Sequence, residues 1–599
     1  MILILGGTTE GRLAVCTLDQ AAKPYYYSTL EQWQQVDCAH GIRLNGGMDA
    51  HQMISFCTEK GIKLLVDAAH PFATQLHHNI EKTASELNIP VVRVERQYPE
   101  LPPHAIFCKD FEDAVLHLKQ YGIKRLLALT GVKTISRLKE FWKENDNCWF
   151  RVLNREDSVQ MALAQGFPQD RLVFYQTDNT AQLISYLNPD AIITKESGKS
   201  GGFDEKSLAA QKANIPMFVV KRPELPASFL CVTGEFTLRK EIERCVPGFF
   251  DQRIGFTTGA CATAATKAAV LTLLNGVAPE TVSISLPNSE IITIEVSNAF
   301  VDNGKVSVEV IKDAGDDPDV TNGSIIISTV SWAEDSDIHF LQGKGVGKVT
   351  LPGIGVPVGE PAINPTPRSM MQNEIRKLSN RGVNITISVP GGEELALRTF
   401  NPKLGIVDGI SIIGTLGIVR PFSSEAFIEA IRREVEVAKA IGIEHLIINS
   451  GAKSERMLKR FFPVFPAQAF VHYGNFIGET LKIAHELNIP RVTMGIMIGK
   501  AVKLAEGHLN THSKTVVMNK EFLKQLANDA GCSVAAQDAI MNMVLARELW
   551  QSLSAEDFTL FKGKLLDCCY KICQSCYSNG KLEIILIEEN SNLSTNFTN

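Results

Sequence analysis

The chain has 599 residues, 45% of them hydrophobic, and a formal net charge of -6. That length calls for several domains and that composition for several cores, while the mildly acidic balance excludes the electrostatic footprint of a nucleic-acid binder or of a protein drawn to anionic membranes. No run approaches the ~18 consecutive apolar residues of a membrane span, and Met1 leads into an apolar stretch with no basic, secretory-type segment before it. Thirteen scattered cysteines fit reduced thiols better than a disulfide framework, so the expected location is cytoplasmic. Assembly with further copies of the chain is left open.

Residues 1–223 alternate strand-like and helix-like segments. The strand candidates are ILIL (2–5), YYYS (25–28), KLLVDA (63–68), PVVRV (90–94), RLLALT (125–130), WFRVL (149–153), RLVFY (171–175), AIIT (191–194) and MFVV (217–220). Near-continuous apolar strands with amphipathic helices between them argue for buried parallel sheets. Pro99, Pro102 and Pro103 break the pattern. The fold expected is therefore α/β, with two Rossmann-like parallel-sheet lobes, 1–100 and 101–223, facing each other across a cleft. Residues 224–252 read as a linker with one charged helical segment. An α+β domain is expected over 253–400. A further Rossmann-like α/β domain and C-terminal tail follow over 401–590, on the strands GISIIG, HLIINS, QAFVHY and RVTMGI.

The opening MILILGGTTEGR carries the first chemistry. A strand runs into Gly6, Gly7, Thr8, Thr9 and Gly11, and a helix begun there would leave amides unpaired at a partial positive charge. That suits a phosphate. The dinucleotide fingerprint wants glycine where Thr8 stands, so a tight turn and a nucleotide site compete on this stretch alone. Ser28 ends the second strand where an NAD site usually shows an acid, a lean towards NADPH over NADH. Further on, VDAAHPFA brings His70 to a strand end. VVRVER holds Arg93 and Arg96, TGVK holds Lys133, and TKESGKSGG holds Lys195.

Together ILGGTTEGR, VDAAHPFA, VVRVER and ITKESGKSGGFDEKSLAAQKANIPMFVVKRP resemble the precorrin-6A reductase family over nearly all of residues 1–223. The resemblance implies reduction of a corrin-type macrocycle with NADPH or NADH. It makes Gly6, Gly7, Thr8, Thr9, Gly11 and Ser28 cofactor-binding candidates and His70 a candidate proton donor. Arg93, Arg96, Lys133 and Lys195 become candidate clamps on macrocycle carboxylates.

In the second half RIGFTTGACATAATKAA places Thr257, Thr258 and Gly259 at a helix start suited to an anion. Cys261 within it reads as a packed thiol rather than a nucleophile. VIKDAGDDPDVTNG clusters Asp313, Asp316, Asp317 and Asp319. Its spacing fails the calcium-loop pattern, and proton transfer is the open role. GEPAINPTPR carries Glu360, Asn364 and Arg368. GISIIGTLGIV offers a second glycine turn at Gly414, Thr415 and Gly417, and NTHS offers His512.

From about 250 to 550 these motifs resemble the cobalt-precorrin-5B C(1)-methyltransferase family. The resemblance implies S-adenosylmethionine as methyl donor and methylation at carbon 1 to give cobalt-precorrin-6A. Asp313, Asp316, Asp317 and His512 are the acid/base candidates. Gly414, Thr415 and Gly417 are candidates for the methyl donor, and Thr257, Thr258, Gly259, Glu360, Asn364 and Arg368 for the macrocycle. The family commonly has His at Asn322, Gly at Asp408 and a Gly-His pair at Ile496-Met497. Cys568, Cys569, Cys573 and Cys576 lack two separated pairs and read as half-buried thiols, so no metal site is expected. The two halves match consecutive steps, which implies a bifunctional enzyme of corrin (cobalamin) synthesis acting on cobalt-precorrin substrates. The competing readings are a chain with one working half, or a non-catalytic tetrapyrrole-binding or redox-sensing protein.

Overall fold

A computed structural model describes residues 1–30, 36–99, 102–175, 180–513 and 516–587, and the backbone of 593–598. It divides into two compact units, one of Met1–Asp251 with Ser289–Ile292 and one of Gln252–Asn288 with Thr293–Asn599. Among the described residues no helix is long and apolar enough to cross a membrane.

Among the described residues the first unit holds twelve strands: β1 (Ile2–Leu5), β2 (Tyr25–Thr29), β3 (Gly41–Asn45), β4 (Leu64–Asp67), β5 (Val91–Val94), β6 (Ala105–Cys108), β7 (Leu126–Ala128), β8 (Cys148–Val152), β9 (Leu172–Phe174), β10 (Ala191–Lys195), β11 (Met217–Val220) and β12 (Leu230–Val232). They form two six-stranded sheets, β12-β5-β4-β1-β2-β3 and β6-β11-β10-β7-β8-β9. Every pairing is parallel. All four residues of β1 and of β4 are buried, as expected of strands covered on both faces. Both sheets are doubly wound and reverse direction beside their first central strand, between β1 and β4 and between β7 and β10. Ligands of open α/β sheets bind at the carboxyl ends of such strands.

Three strands escaped the sequence pattern. β3 and β6 are half-exposed edge strands, β3 without an apolar run and β6 (AIFC) with a short one just after the proline-broken connection. Residues 224–252, expected as a linker, instead carry β12, which pairs with β5. The helix Glu235–Cys245 that follows buries Leu238 and Ile242 in the first lobe's core. The first lobe is thus discontinuous, closed by chain that returns from the second.

In the second unit the helix Thr258–Asn275 is buried along most of its length. Its alanines and threonines let it lie close against an open sheet in the order Asn298–Asp302, Lys305–Ile311, Ile325–Trp332, Val383–Ser388, Ile338–Gln342. That sheet is antiparallel except for its last pair. A second sheet runs Phe470–His472, His445–Asn449, Arg491–Met497, Lys581–Ile587, Leu593–Thr598, parallel but for the last strand. The segment GISIIG, expected to begin this α/β sheet, lies outside it. Gly409–Ile410 pairs only with Gly345–Val346. Its two glycine-flanked residues are too short a run to pair more widely.

Candidate functional site

In the first lobe Thr8 caps the helix Thr9–Asp19. Its Oγ1 accepts from Gly11 N at 3.2 Å and donates to Ala68 O at 2.7 Å. The hydroxyl expected to meet a phosphate is therefore occupied in holding β1's turn to β4's. Gly6 and Gly11 are glycines because Tyr27 lies on them. A Cβ on Gly6 would stand 2.3 Å from the Tyr27 ring, and one on Gly11 2.9 Å from its hydroxyl. Gly7 differs. Its φ is +106°, and a Cβ there would meet nothing within 4 Å, so that side of it faces open space beside the exposed Thr9, while its N–H donates to Tyr27 OH at 3.2 Å. Gly7 and the first helical turn form the part of the motif that a pyrophosphate fits. Ser28 is buried at the end of β2. Arg43, from the unforeseen β3, donates to Thr29 Oγ1 at 3.3 Å and lies 5.5 Å from the Tyr27 ring centre. A cation beside the end of the second strand is what a ribose 2′-phosphate calls for.

Two expected carboxylate clamps have other occupations. Arg93 is wholly buried, with a nitrogen 2.9 Å from Asp67 and its Nε 2.7 Å from Glu95. Asp67 also faces His77 Nδ1 at 2.8 Å. Burial alone would raise the Asp67 pKa, but the His77 hydrogen bond and the Arg93 charge outweigh it and hold it below the ordinary value. Arg96 is 7% exposed. It pairs with Glu10 at 3.0 Å and donates to Ser197 O at 2.9 Å, while Ser200 donates to Glu10 at 2.6 Å. Arg96 is a latch from the first lobe to the loop after β10.

His70 and Lys195 meet across the lobes. His70 Nδ1 accepts from Phe72 N at 3.2 Å, so the neutral ring carries its proton on Nε2. Burial first, then the charges of Arg96 and Lys195, push its pKa down to about 4. With its pKa so lowered, His70 at neutral pH is a neutral ring that donates a hydrogen bond rather than an imidazolium. Lys195 Nζ lies 5.2 Å from the Phe72 ring centre. Burial and the charge of Lys133 bring its pKa down to about 8. Lys206 behind it donates to Gly201 O at 2.8 Å, and Arg151 to Thr180 Oγ1 at 3.0 Å. Lys133 itself is exposed.

In the second unit Thr257 caps its helix through Ala260 N, Gly259 N donates to Ile413 O at 2.9 Å, and Thr258 Oγ1 accepts from Ile413 N at 2.9 Å. The chain itself fills the place expected for an anion. Gly414 and Gly417 are explained the same way, since a Cβ would stand 2.2 Å from Thr257 Oγ1 and 2.4 Å from Leu286 respectively. Packing, not a close cofactor, demands them. Thr415 is exposed beside them. Arg368 is spent on Ile363 O, Pro361 O and Glu360. Asn364 begins the helix Pro365–Arg376 without capping it.

The acidic loop sorts by partner. Asp313 and Asp316 face Arg253, and Asp319 holds the buried Lys312 at 2.7 Å. Among the described residues Asp317 receives only the Phe422 N–H, at 3.3 Å. Burial, reinforced by the Asp319 charge, raises its pKa despite that hydrogen bond. Asn322 accepts from Ala314 N at 2.9 Å and so closes the loop. Asp408 has φ +64°, which accounts for the glycine its resemblance family favours there.

A further set, unassigned from the sequence, lies at the carboxyl edge of the parallel sheet. Strand His445–Asn449 sits between Phe470–His472 and Arg491–Met497, so the connections diverge there. Gly451 (φ +145°) and Gly499 both have open space where a Cβ would be. His472 Nε2 pairs with Glu455. Lys500 donates to Gly474 O at 2.7 Å and to Asn475, and burial followed by the Lys503 charge lowers its pKa to about 8. His512 is partly buried, its N–H donating to Asn510. The signal in the sequence was the strand-glycine-helix step Asn449-Ser450-Gly451-Ala452.

The four late cysteines lie on and just after the helix Ala555–Gln574, with Cys569 and Cys573 buried and Cys568 and Cys576 partly so. Cys261 is buried, and burial pushes its thiol up to about 12, where it is no nucleophile.

Residues 1–242 match the family described as precorrin-6x reductase CbiJ/CobK, residues 248–421 the CbiD family and residues 510–595 the CbiD C-terminal domain. Over 344 residues the chain is 42% identical to the cobalt-precorrin-5B C(1)-methyltransferase of Prosthecochloris aestuarii, spanning 56% of this chain and 93% of that one. It is 44% identical over 322 residues to that of a Geobacillus species (strain WCH70), spanning 53% and 88%. Among solved structures, a CobK precorrin-6A reductase covers 41% of this chain and 97% of its own, at 20% identity and a TM-score of 0.34. With two family matches on consecutive stretches and a relative covered almost end to end, the chain belongs to the cobalt-precorrin-5B C(1)-methyltransferase family, joined behind a precorrin-6x reductase domain in one bifunctional protein of cobalamin biosynthesis.

Proposed function

We propose that the second unit methylates cobalt-precorrin-5B at carbon 1 with S-adenosylmethionine, and that the first unit reduces the resulting cobalt-precorrin-6A with NADPH. The observation that carries the pairing is the succession of the two family matches, 1–242 and 248–421, on one chain. They do not favour a non-catalytic binding protein. Joined units would raise the local concentration of the shared intermediate.

NADPH supplies the hydride when bound. Gly7 and the first turn of helix Thr9–Asp19 receive its pyrophosphate, and Arg43 beside Ser28 and Thr29 receives the 2′-phosphate. Neutral His70 donates a hydrogen bond from Nε2 into the cleft, and Lys133 and Lys206 attract macrocycle carboxylates. Arg43→Gln is expected to raise KM for NADPH ~10–100-fold, the worth of a charge-assisted contact or two, and to leave KM for NADH nearly unchanged. Equal effects on both nucleotides in steady-state kinetics would remove Arg43 from the 2′-phosphate.

S-adenosylmethionine supplies the methyl group when bound. Its place is the carboxyl edge of the parallel sheet, at Gly451, Gly474 and Gly499, rather than the filled turn at Gly414–Gly417. A Gly499→Val chain should bind the donor at least tenfold more weakly by calorimetry. Gly414→Ala should lower stability without a specific loss of donor binding. The overall test is anaerobic incubation with cobalt-precorrin-5B, S-adenosylmethionine and NADPH, read by product mass. A methylated product that gains two further mass units is expected, and absence of either change removes the corresponding half of the reading.

A further inference from the structure

The buried cations of the reductase cleft have fixed partners, and the half-buried Lys195 beside them does not. Arg93 is held by Asp67 and Glu95, Arg96 by Glu10 and Ser197, Lys206 by Gly201 and Arg151 by Thr180. Lys195 is the last residue of β10 and half-buried, yet among the described residues its Nζ has no hydrogen-bond or ion-pair partner. Its one polar-face contact is the Phe72 ring. Phe72 and His70 follow β4, so Lys195 stands where the carboxyl edges of both sheets converge. An ammonium partly withdrawn from water, with no fixed acceptor for its protons, is costly. Such a group persists where the reaction uses it.

We propose that Lys195 is the proton donor of the reduction, a role that rests on the reductase reading given above. Hydride from the nicotinamide adds to one end of the macrocycle double bond and the π pair moves to the other end. There a new bond forms to a proton leaving the Lys195 ammonium. The oxidised nicotinamide departs, and the neutral amine regains its proton from solvent. The groups that face Lys195 suit this. His70 is held neutral, so it neither competes as the acid nor adds charge. The cations Lys133 and Lys206 repel the ammonium and favour release of its proton.

The test uses the full chain and two variants, Lys195→Arg, which keeps the charge but not a transferable proton, and Lys195→Met. Nucleotide binding, followed by NADPH fluorescence, should be unchanged in both and controls for folding. With supplied cobalt-precorrin-6A, kcat should fall ~10²–10³-fold in both variants with KM within a few-fold. The wild-type rate should fall with rising pH through about 8. In the protein alone, acetic anhydride labelling of Lys195 read by mass spectrometry should rise with a midpoint near that same pH. A clamp would instead raise KM and be rescued by arginine, and that outcome overturns the proposal. So does a labelling midpoint above 10. A wild-type chain that leaves the macrocycle unreduced overturns the reductase reading, and the proposal with it.

Discussion

Replacing Arg93 with methionine is expected to destabilise the first unit by about 3–5 kcal/mol, the usual consequence of orphaning one member of a buried ion pair. Asp67 and Arg93 are both fully enclosed, so no water can take over the lost contact. Their strands, β4 and β5, are neighbours with Asp67 opposite Arg93, and β4 borders the point between β1 and β4 where the strand order reverses. The midpoint of the first unit's unfolding should drop on the order of 10 °C. Hydrogen exchange should speed up in β1, β4 and β5 and stay slow in the strands His445–Asn449 and Arg491–Met497. The sign with pH follows from the depressed Asp67 pKa. Its ionised form stabilises the wild type above the unfolded carboxylate range, and that contribution fades as pH falls through the folded value. Without Arg93 the carboxylate is costly when charged, so the gap between variant and wild type should narrow as pH falls from 7 towards 4. The double variant Asp67→Asn, Arg93→Met should recover part of the loss. A single variant as stable as wild type would mean that Arg93 is not the counter-ion described.

The largest effect on methylation is expected from Asp317→Asn. When a ring carbon attacks the sulfonium methyl group and displaces the thioether, a C–C bond forms and a C–S bond breaks. The macrocycle must then release a proton to stay neutral. Three of the four aspartates are tied to Arg253 or Lys312. Among the described residues Asp317 is left with a single backbone donor, and it has a raised affinity for protons, the condition wanted of a base working nearer neutrality. The amide keeps the shape and the Phe422 contact but cannot accept the proton. Turnover should fall ~10²–10⁴-fold while calorimetric binding of S-adenosylmethionine is retained. The wild-type rate should decline on the acid side as Asp317 protonates. Turnover within threefold of wild type would transfer the role to His512 or to the Glu455–His472 pair.

The parallel lobes were legible because strands buried on both faces leave unbroken apolar runs, as in ILIL and MFVV. β3 was not, because this half-exposed edge strand shows no such run, and β6 (AIFC) and β12 (LCV) are short apolar runs in stretches broken by prolines. The site residues divide along a similar line. Motif spacing brought Gly7, His70 and Lys195 to strand ends. It could not reveal that Thr8, Arg93, Arg96, Thr257 and Gly414 are consumed by partners far along the chain, since those contacts exist only once the sheets have formed. Arg43 was missed with its strand. The edge at Gly451 was missed because its signal, one glycine between strand and helix, is common to many turns.

The return of β12 to the first lobe bears on how the protein is made. β5 leaves the ribosome well before the strand that flanks it, and the whole second lobe is synthesised in between. At ~5–20 residues per second the β5 edge stays unpaired for on the order of 10 s, longer if the second lobe folds slowly. Nascent first lobes would therefore depend on the second lobe as a folding insert. A clone cut after residue 223 would make a protein with a permanently bare, apolar edge prone to aggregate. An independent reductase piece should be cut after Asp251 instead, where the compact unit's main segment ends.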